Sequence, residues 1–208
     1  MQGQNEMQIK AHVDVETKSI SISHRITYNN TTNDTLKTIF LNDWNNSYST
    51  KTTPLAKRFE EEFSTKFHLA KNKQRGFTTV TAIKDHHENH LTFSRLKEHP
   101  DVIKINLQQA LMPFASYTID LRYTLVIPDA TFTDYGFTDQ KNFKLKHWYI
   151  TPAVYDGKWH YYSNKNLNDL YVPKSNIHLE ITHPREYRVI SSLDVKKYQA
   201  TDTEQTTI

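Results

Sequence analysis

At 208 residues the chain is long enough for one large domain with its own core, and too short for more than two small ones. Its formal net charge of +3 comes from 26 basic and 23 acidic residues interspersed throughout, so no basic run marks a nucleic-acid or membrane-surface footprint. No apolar run approaches the ~18 residues of a membrane-spanning helix, and the absence of cysteine excludes a disulfide framework and a thiol nucleophile.

The chain begins with Met1 and a polar stretch, Gln2 to Glu6, which reads as a structureless lead-in. Such a start fits a mature end left by removal of a secretory signal, and so an exported protein of the periplasm or cell envelope. A cytoplasmic start is the alternative. Ile9 to Val15 then alternates apolar and polar. Lys18 to Tyr28 does so strictly, with Ile20, Ile22, His24, Ile26 and Tyr28 on one face and Ser19, Ser21, Ser23, Arg25 and Thr27 on the other. These are half-buried strands joined by a turn at Glu16 to Lys18. Asn29 to Asp34 is a polar turn cluster, and Leu36 to Leu41 a short strand covered on both faces.

Pro54 to Phe67 is the one predicted helix. Thr53 can cap it and Pro54 suits the first helical position. Leu55, Phe59, Phe63 and Phe67 recur every fourth residue as one apolar stripe, with Glu60 to Glu62 facing water. Strand patterns resume at Phe77 to Ile83, Leu91 to Leu96 and Val102 to Leu107. The clearest is Tyr117 to Ile127, bounded by Pro113 and Pro128. Further strands are predicted at Phe143 to Tyr149, Ile177 to Ile181 and Tyr187 to Ile190. Many short strands with polar turns give an all-β fold, an antiparallel sandwich or saddle of curved sheets with one short α-helix near residues 54–67. No internal repeat or linker splits residues 1–208, which read as a single domain.

The histidines prompt a search for metal chemistry. Asp85-His86-His87-Glu88-Asn89-His90 superficially resembles the H-E-x-x-H zinc helix. That motif needs two histidines four apart with glutamate directly after the first, so that both rings share one helix face. Here His87-Glu88 is followed by His90 only three residues after His87, and the segment lies between two strand patterns. A solvated hairpin turn accounts for it. His24 lies on an apolar strand face and reads as a hydrogen-bonded core residue. His12, His68, His99, His178 and His183 have no partner at ligand spacing. No nucleophile elbow, phosphate loop or dinucleotide fingerprint is present. No catalytic residue is assigned and no metal ligand or cofactor is expected in this chain.

The densest feature is His147 to Tyr162, which holds two of the three tryptophans, four tyrosines and the Asp156-Gly157 turn. Aromatics at this density anchor a segment in its own core or in a neighbouring domain. Trp148, Tyr149, Tyr155 and Trp159 are the candidates for interdomain docking. Trp148, Tyr155, Trp159 and Tyr161 could instead offer a stacking platform.

The order of features resembles the N-terminal β domain of aminopeptidase N-like, gluzincin zinc metallopeptidases, over about Met7 to Asp194. Ile26 to Trp44 is similar to the family's Y-x-N-x-S-x-D-x-L-x-x-I-x-L passage. Leu111, Pro113 and Phe114 stand where the family has a Pro-Gly turn. Leu121 to Phe137 resembles its strand, Ile-Pro and Tyr-Gly stretch. Trp148 to Tyr162 resembles the W-Y-P-x-x-A-V-Y-D-x-x-G-W segment of bacterial envelope-associated members, and Ile177 to Ser192 the strand that follows. Ile150 departs from the expected proline, and the glycine of the Pro-Gly turn is absent. Neither H-E-x-x-H nor G-x-M-E-N occurs; in the family both belong to the following catalytic domain. The resemblance implies a non-catalytic domain that packs on the catalytic domain of the same polypeptide, where the zinc resides, and walls the peptide cleft. It implies that Gln140 sits at the substrate rim near the peptide's free amine. The alternative is a stand-alone β-sandwich module binding carbohydrate or protein.

Overall fold

The computed structural model describes residues 3–166, 170–195 and 198–208. Alternation dictates the main sheet. Strands β1 (Asn5–Asp14), β2 (Ser19–Asn29), β3 (Leu36–Asn42), β4 (Phe77–Asp85), β5 (Phe93–Arg95), β6 (Val102–Leu111) and β7 (Ser116–Val126) lie in the first two thirds of the chain. The short strands β8 (Gly136–Phe137), β9 (Phe143–Lys144), β10 (Thr151–Pro152), β11 (Val154–Tyr155) and β12 (Trp159–His160) follow. Strands β13 (Ser175–Pro184), β14 (Tyr198–Ala200) and β15 (Glu204–Thr207) complete it. Seven strands pair in the order β14-β15-β13-β1-β2-β7-β4, and four more in the order β10-β3-β6-β5. Two-stranded hairpins β11-β12 and β8-β9 flank them.

The fold is all-β, and its core lies between the two larger sheets. From the main sheet Ile9, Ile20, Ile26, Ile119, Leu121 and Leu125 point inward; from the smaller one come Ile39, Leu41, Ile103 and Ile105, all in one buried cluster. Each such side chain contributes roughly 1.5–3 kcal/mol when removed from water. Register keeps like with like, with Ala11 opposite Ile22 and Ile26 opposite Ile119. A one-residue slip would turn every one of these side chains to solvent. The sheet is not wholly antiparallel: β13 runs parallel to β1, with Ile177 beside Met7. The end of the polar lead-in is structured: β1 starts at Asn5, whose side chain accepts a bond from Asn29 N at 2.8 Å, while Met1 and Gln2 lie outside the described residues.

The predicted helix over 54–67 divides. Thr53 does cap it, through Ala56 N at 3.2 Å, with Pro54 in the first turn. But α1 ends at Glu61, and α2 (Lys66–Leu69) is separate. Phe63 turns left-handed, with φ of 55°, and is 93% exposed. The physical reason is Phe67. In one straight helix Phe59 and Phe67 would lie roughly 12 Å apart along the axis. The break folds them to 5.5 Å, and Phe67 also packs edge-on to Phe132 at 5.0 Å.

Three strand expectations change. Phe143 to Tyr149 pairs only at Phe143–Lys144, and Leu91 to Leu96 only at Phe93–Arg95. Tyr187 to Ile190 forms no strand; Tyr187 N bonds Pro184 O in a turn. The polar tail takes that place, β15 pairing with β13 and β14 with β15. Backbone hydrogen bonds set this hairpin, helped by Thr182 Oγ1 and Thr206 Oγ1 at 2.8 Å, so it leaves little apolar signature.

Candidate functional site

The aromatic segment is built around strand ends. After Trp148 and Tyr149, whose rings meet at 5.3 Å, β10 joins the edge of the smaller sheet beside Leu41 and Asn42. The chain then makes the β11-β12 hairpin, turning at Gly157, whose φ of 91° suits glycine. Trp148 is 7% exposed and belongs to the main core. Tyr149 is half-buried, and burial raises its phenol pKa. It stands edge-on to His24 at 6.4 Å.

Tyr155 and Trp159 form a second pair, 5.1 Å apart and tilted by 57°. Trp159 joins the main core to a small satellite core, contacting Tyr28 at 5.7 Å and Phe40 at 5.5 Å. Tyr155 donates to Asp34 Oδ2 at 2.9 Å. No ring contact links the two pairs among the described residues. Trp148 is buried and the Tyr155 and Trp159 rings are tilted by 57°, so these three rings do not share one exposed plane, while Tyr161 stacks on Phe40 at 4.8 Å.

Gln140 lies elsewhere, exposed in the turn between β8 and β9. That hairpin is pinned firmly. Phe137 N donates to Pro128 O at 2.8 Å, and Phe137 packs on Phe143 at 4.9 Å. Lys18 lies over the Phe137 ring at 4.7 Å and pairs with Asp129 at 3.3 Å.

Sequence reasoning missed a buried polar centre where the two sheets meet. Trp44–Tyr48, a 3-10 turn after β3, carries Asn45, Asn46 and Ser47, all buried. Asn45 donates to Phe77 O at 2.8 Å and accepts from the Tyr135 hydroxyl at 2.8 Å. Asn46 donates to Pro100 O at 2.7 Å. Asp43 accepts from Thr78 Oγ1 at 2.7 Å and from Arg95 at 2.6 Å. Asp101 accepts from Ser163 Oγ and from Asn164 N, both at 2.7 Å. Burial pushes its carboxyl up to about 6, against the pull of the Ser163 and Asn164 bonds and with help from Asp43. The only sequence signal was indirect: polar residues clustered immediately after a buried strand.

His99, Ser163 and Asp101 hold the residue types of a catalytic triad, but in the wrong order. Nucleophilic catalysis needs histidine between serine and acid, so that the ring takes the serine proton. Here Ser163 is in the middle, bonded to His99 Nδ1 at 2.8 Å while donating to Asp101. The serine proton is committed to the carboxylate and Ser163 is buried, so the trio ties down a loop.

The Asp85 to His90 segment is a turn. The Asp85 carboxylate accepts from His87 N and Asn89 N, both at 2.9 Å, and His90 bridges back to Lys84. Among the described residues no three histidine, cysteine, aspartate or glutamate side chains gather as a metal site. Other histidines make side-chain pairs of their own, His12 with Glu204 at 2.7 Å and His178 with Glu180 at 3.2 Å. His24 is buried, bonded to the Tyr123 hydroxyl at 3.2 Å, and burial holds its ring neutral with a pKa of about 3.

Taken together, these features define an all-β domain with a polar seam between its sheets and an aromatic strip along one edge. No protein-family model and no curated protein matches the sequence. The fold, in contrast, is similar to that of solved zinc peptidases. The M1 zinc metallopeptidase from Deinococcus radiodurans superposes with a TM-score of 0.51 at 9% identity, over 98% of this chain and 37% of its own. A point mutant of it bound to a Tyr-Ser-Ala substrate gives a TM-score of 0.53 at 10% identity, over 98% and 38%. A two-domain M1 zinc metallopeptidase mutant bound to L-tryptophan gives 0.51 at 10%, over 99% and 39%. The likeness is one of fold, and this chain spans less than two fifths of those structures.

Proposed function

We propose that this chain is the non-catalytic N-terminal domain of an M1-type zinc aminopeptidase, packing on a catalytic domain and walling one side of its peptide cleft. One observation carries the reading: almost the whole chain superposes on little more than a third of an M1 zinc metallopeptidase, leaving the rest of such a protein to supply chemistry. The ordered sequence resemblance from Met7 to Asp194 supports it independently. The sequence lacks H-E-x-x-H, and in this reading the zinc ligands belong to the catalytic domain. In this reading Gln140, exposed on its pinned hairpin, stands at the substrate rim. The part-exposed Tyr149, Tyr155 and Trp159 face the catalytic domain.

The test is the reading frame beyond the Ile208 codon. Continuation into H-E-x-x-H with a downstream glutamate, and zinc-dependent hydrolysis of aminoacyl anilides by the full product, is the expected result. A stop codon at that point, with no peptidase co-purifying from the native source, overturns the reading in favour of a stand-alone binding module.

A further inference from the structure

The corner between α1 (Pro54–Glu61) and α2 (Lys66–Leu69) lies outside both sheets, and two of its large apolar side chains stand in water. Phe63 is 93% exposed and left-handed, with φ of 55°, a conformation that strains a bulky residue. Leu69 is 80% exposed. Phe67 points into the core, and Leu69, about 200° further round the helix, points away from it. The four residues of α2 rise only about 6 Å, so Phe63 just before it and Leu69 at its end are neighbours on one corner. Phe59 and Phe67 supply the packing between the two helices, and neither exposed side chain serves it.

The charge at this corner is one-sided. Residues 57–75 carry six lysines and arginines against three glutamates. That excess equals the +3 of the whole chain, so the remainder is balanced. The charges read as interspersed along the sequence, but ion pairs sort them. Arg58 takes up Glu61 at 3.3 Å and Glu62 at 2.8 Å, and Glu60 lies 2.9 Å from His68 Nε2. Lys66, Lys71 and Lys73 are exposed and make no ion pair among the described residues. A stable protein partner covers about 800 Å² on each side. Two protruding apolar side chains flanked by free lysines offer less than that. They match the interface of an anionic bilayer, where apolar groups enter the headgroup boundary and cations meet lipid phosphate.

We propose that the α1-α2 corner docks on an anionic bilayer surface, with Phe63 and Leu69 entering the headgroup boundary and Lys66, Lys71 and Lys73 meeting the lipid phosphates. The proposal stands apart from the peptidase reading, because it uses this corner alone and its test needs no second domain.

The experiment co-sediments the chain with phosphatidylcholine vesicles, made with and without phosphatidylglycerol. Binding is expected only where phosphatidylglycerol is present, and should weaken as salt is raised. Lys66→Gln, Lys71→Gln and Lys73→Gln combined should weaken it about a hundredfold, at about fivefold for each lysine. Phe63→Gly, which relieves the backbone, and Leu69→Ser should each weaken it about tenfold, with the circular dichroism of the free chain unchanged. Equal binding to both kinds of vesicle overturns the proposal, as does binding that survives either the lysine or the apolar substitutions. Absence of binding to both overturns it too, and leaves the corner to a protein partner.

Discussion

The Arg95 guanidinium donates to the Asp43 carboxylate at 2.6 Å and reaches Thr78 O at 3.4 Å, so one side chain ties the edge of the smaller sheet to the edge of the larger. Asp43 is 1% exposed at its side chain, and Arg95 shields it from solvent. Removing Arg95 leaves a buried carboxylate with only the Thr78 hydroxyl. Arg95→Leu should therefore cost about 3 kcal/mol in urea unfolding. Asp43→Asn added to it should recover part of that loss, because the stranded charge disappears. Equal losses in the single and double variants would show that packing, not charge, dominates.

Asp101 should give the stability curve an acid limb of unusual sign. Its folded pKa of about 6 lies above the 3.8 of the free side chain. Between those values the folded state holds the proton more tightly than the unfolded chain. Stability from this group therefore rises as pH falls from about 6 to 3.8, and the penalty for the buried charge is in full force above 6. The amplitude is about 3 kcal/mol. Asp101→Asn should flatten that limb, measured as the difference between variants in urea midpoints at pH 4 and pH 7.

Phe63 occupies a left-handed position where helix ends prefer glycine, and its ring is in water. Phe63→Gly should raise stability by about 1 kcal/mol, since the backbone cost of that conformation is removed and no buried contact is lost. A drop in melting temperature would mean the ring is held by something this chain does not show.

Gly136 leaves no such freedom. Its φ is 145°, and a Cβ there would stand 2.5 Å from Pro128 O. Gly136→Ala should loosen the hairpin that presents Gln140, seen as faster hydrogen exchange at Phe137 N and Ala130 N while the β2-β7 amides stay protected.

Trp148 and Trp159 should separate. Trp148→Ala removes a core ring and should cost about 3–5 kcal/mol in the isolated chain. Trp159→Ala, at a part-exposed ring, should cost less there and more in the full-length enzyme of the proposed function, where the strip is covered. In that enzyme Gln140→Ala should raise KM for peptides with a free amino terminus by about tenfold, the worth of a hydrogen bond to a charge, while N-blocked peptides are unaffected. Equal effects on both substrates would remove Gln140 from the amine site.

The sequence by itself determined the parts that repeat. Period-two alternation in β1, β2 and β7 fixed which faces are buried, because each side chain of a strand points opposite to its neighbour. Thr53 and Pro54 fixed where α1 begins, because capping is local. Tertiary structure decided what depends on partners distant in the chain. The helix breaks at Phe63 because Phe67 must reach Phe59 and Phe132. The polar tail becomes β14 and β15 because the open edge of β13 offers unpaired backbone groups. Asp43, Asn45 and Asp101 become a buried network only when Thr78, Arg95, Tyr135 and Ser163 arrive from elsewhere in the chain. A polar residue carries no mark of the donor that will make its burial tolerable, and that is why the seam was illegible until the sheets closed over it.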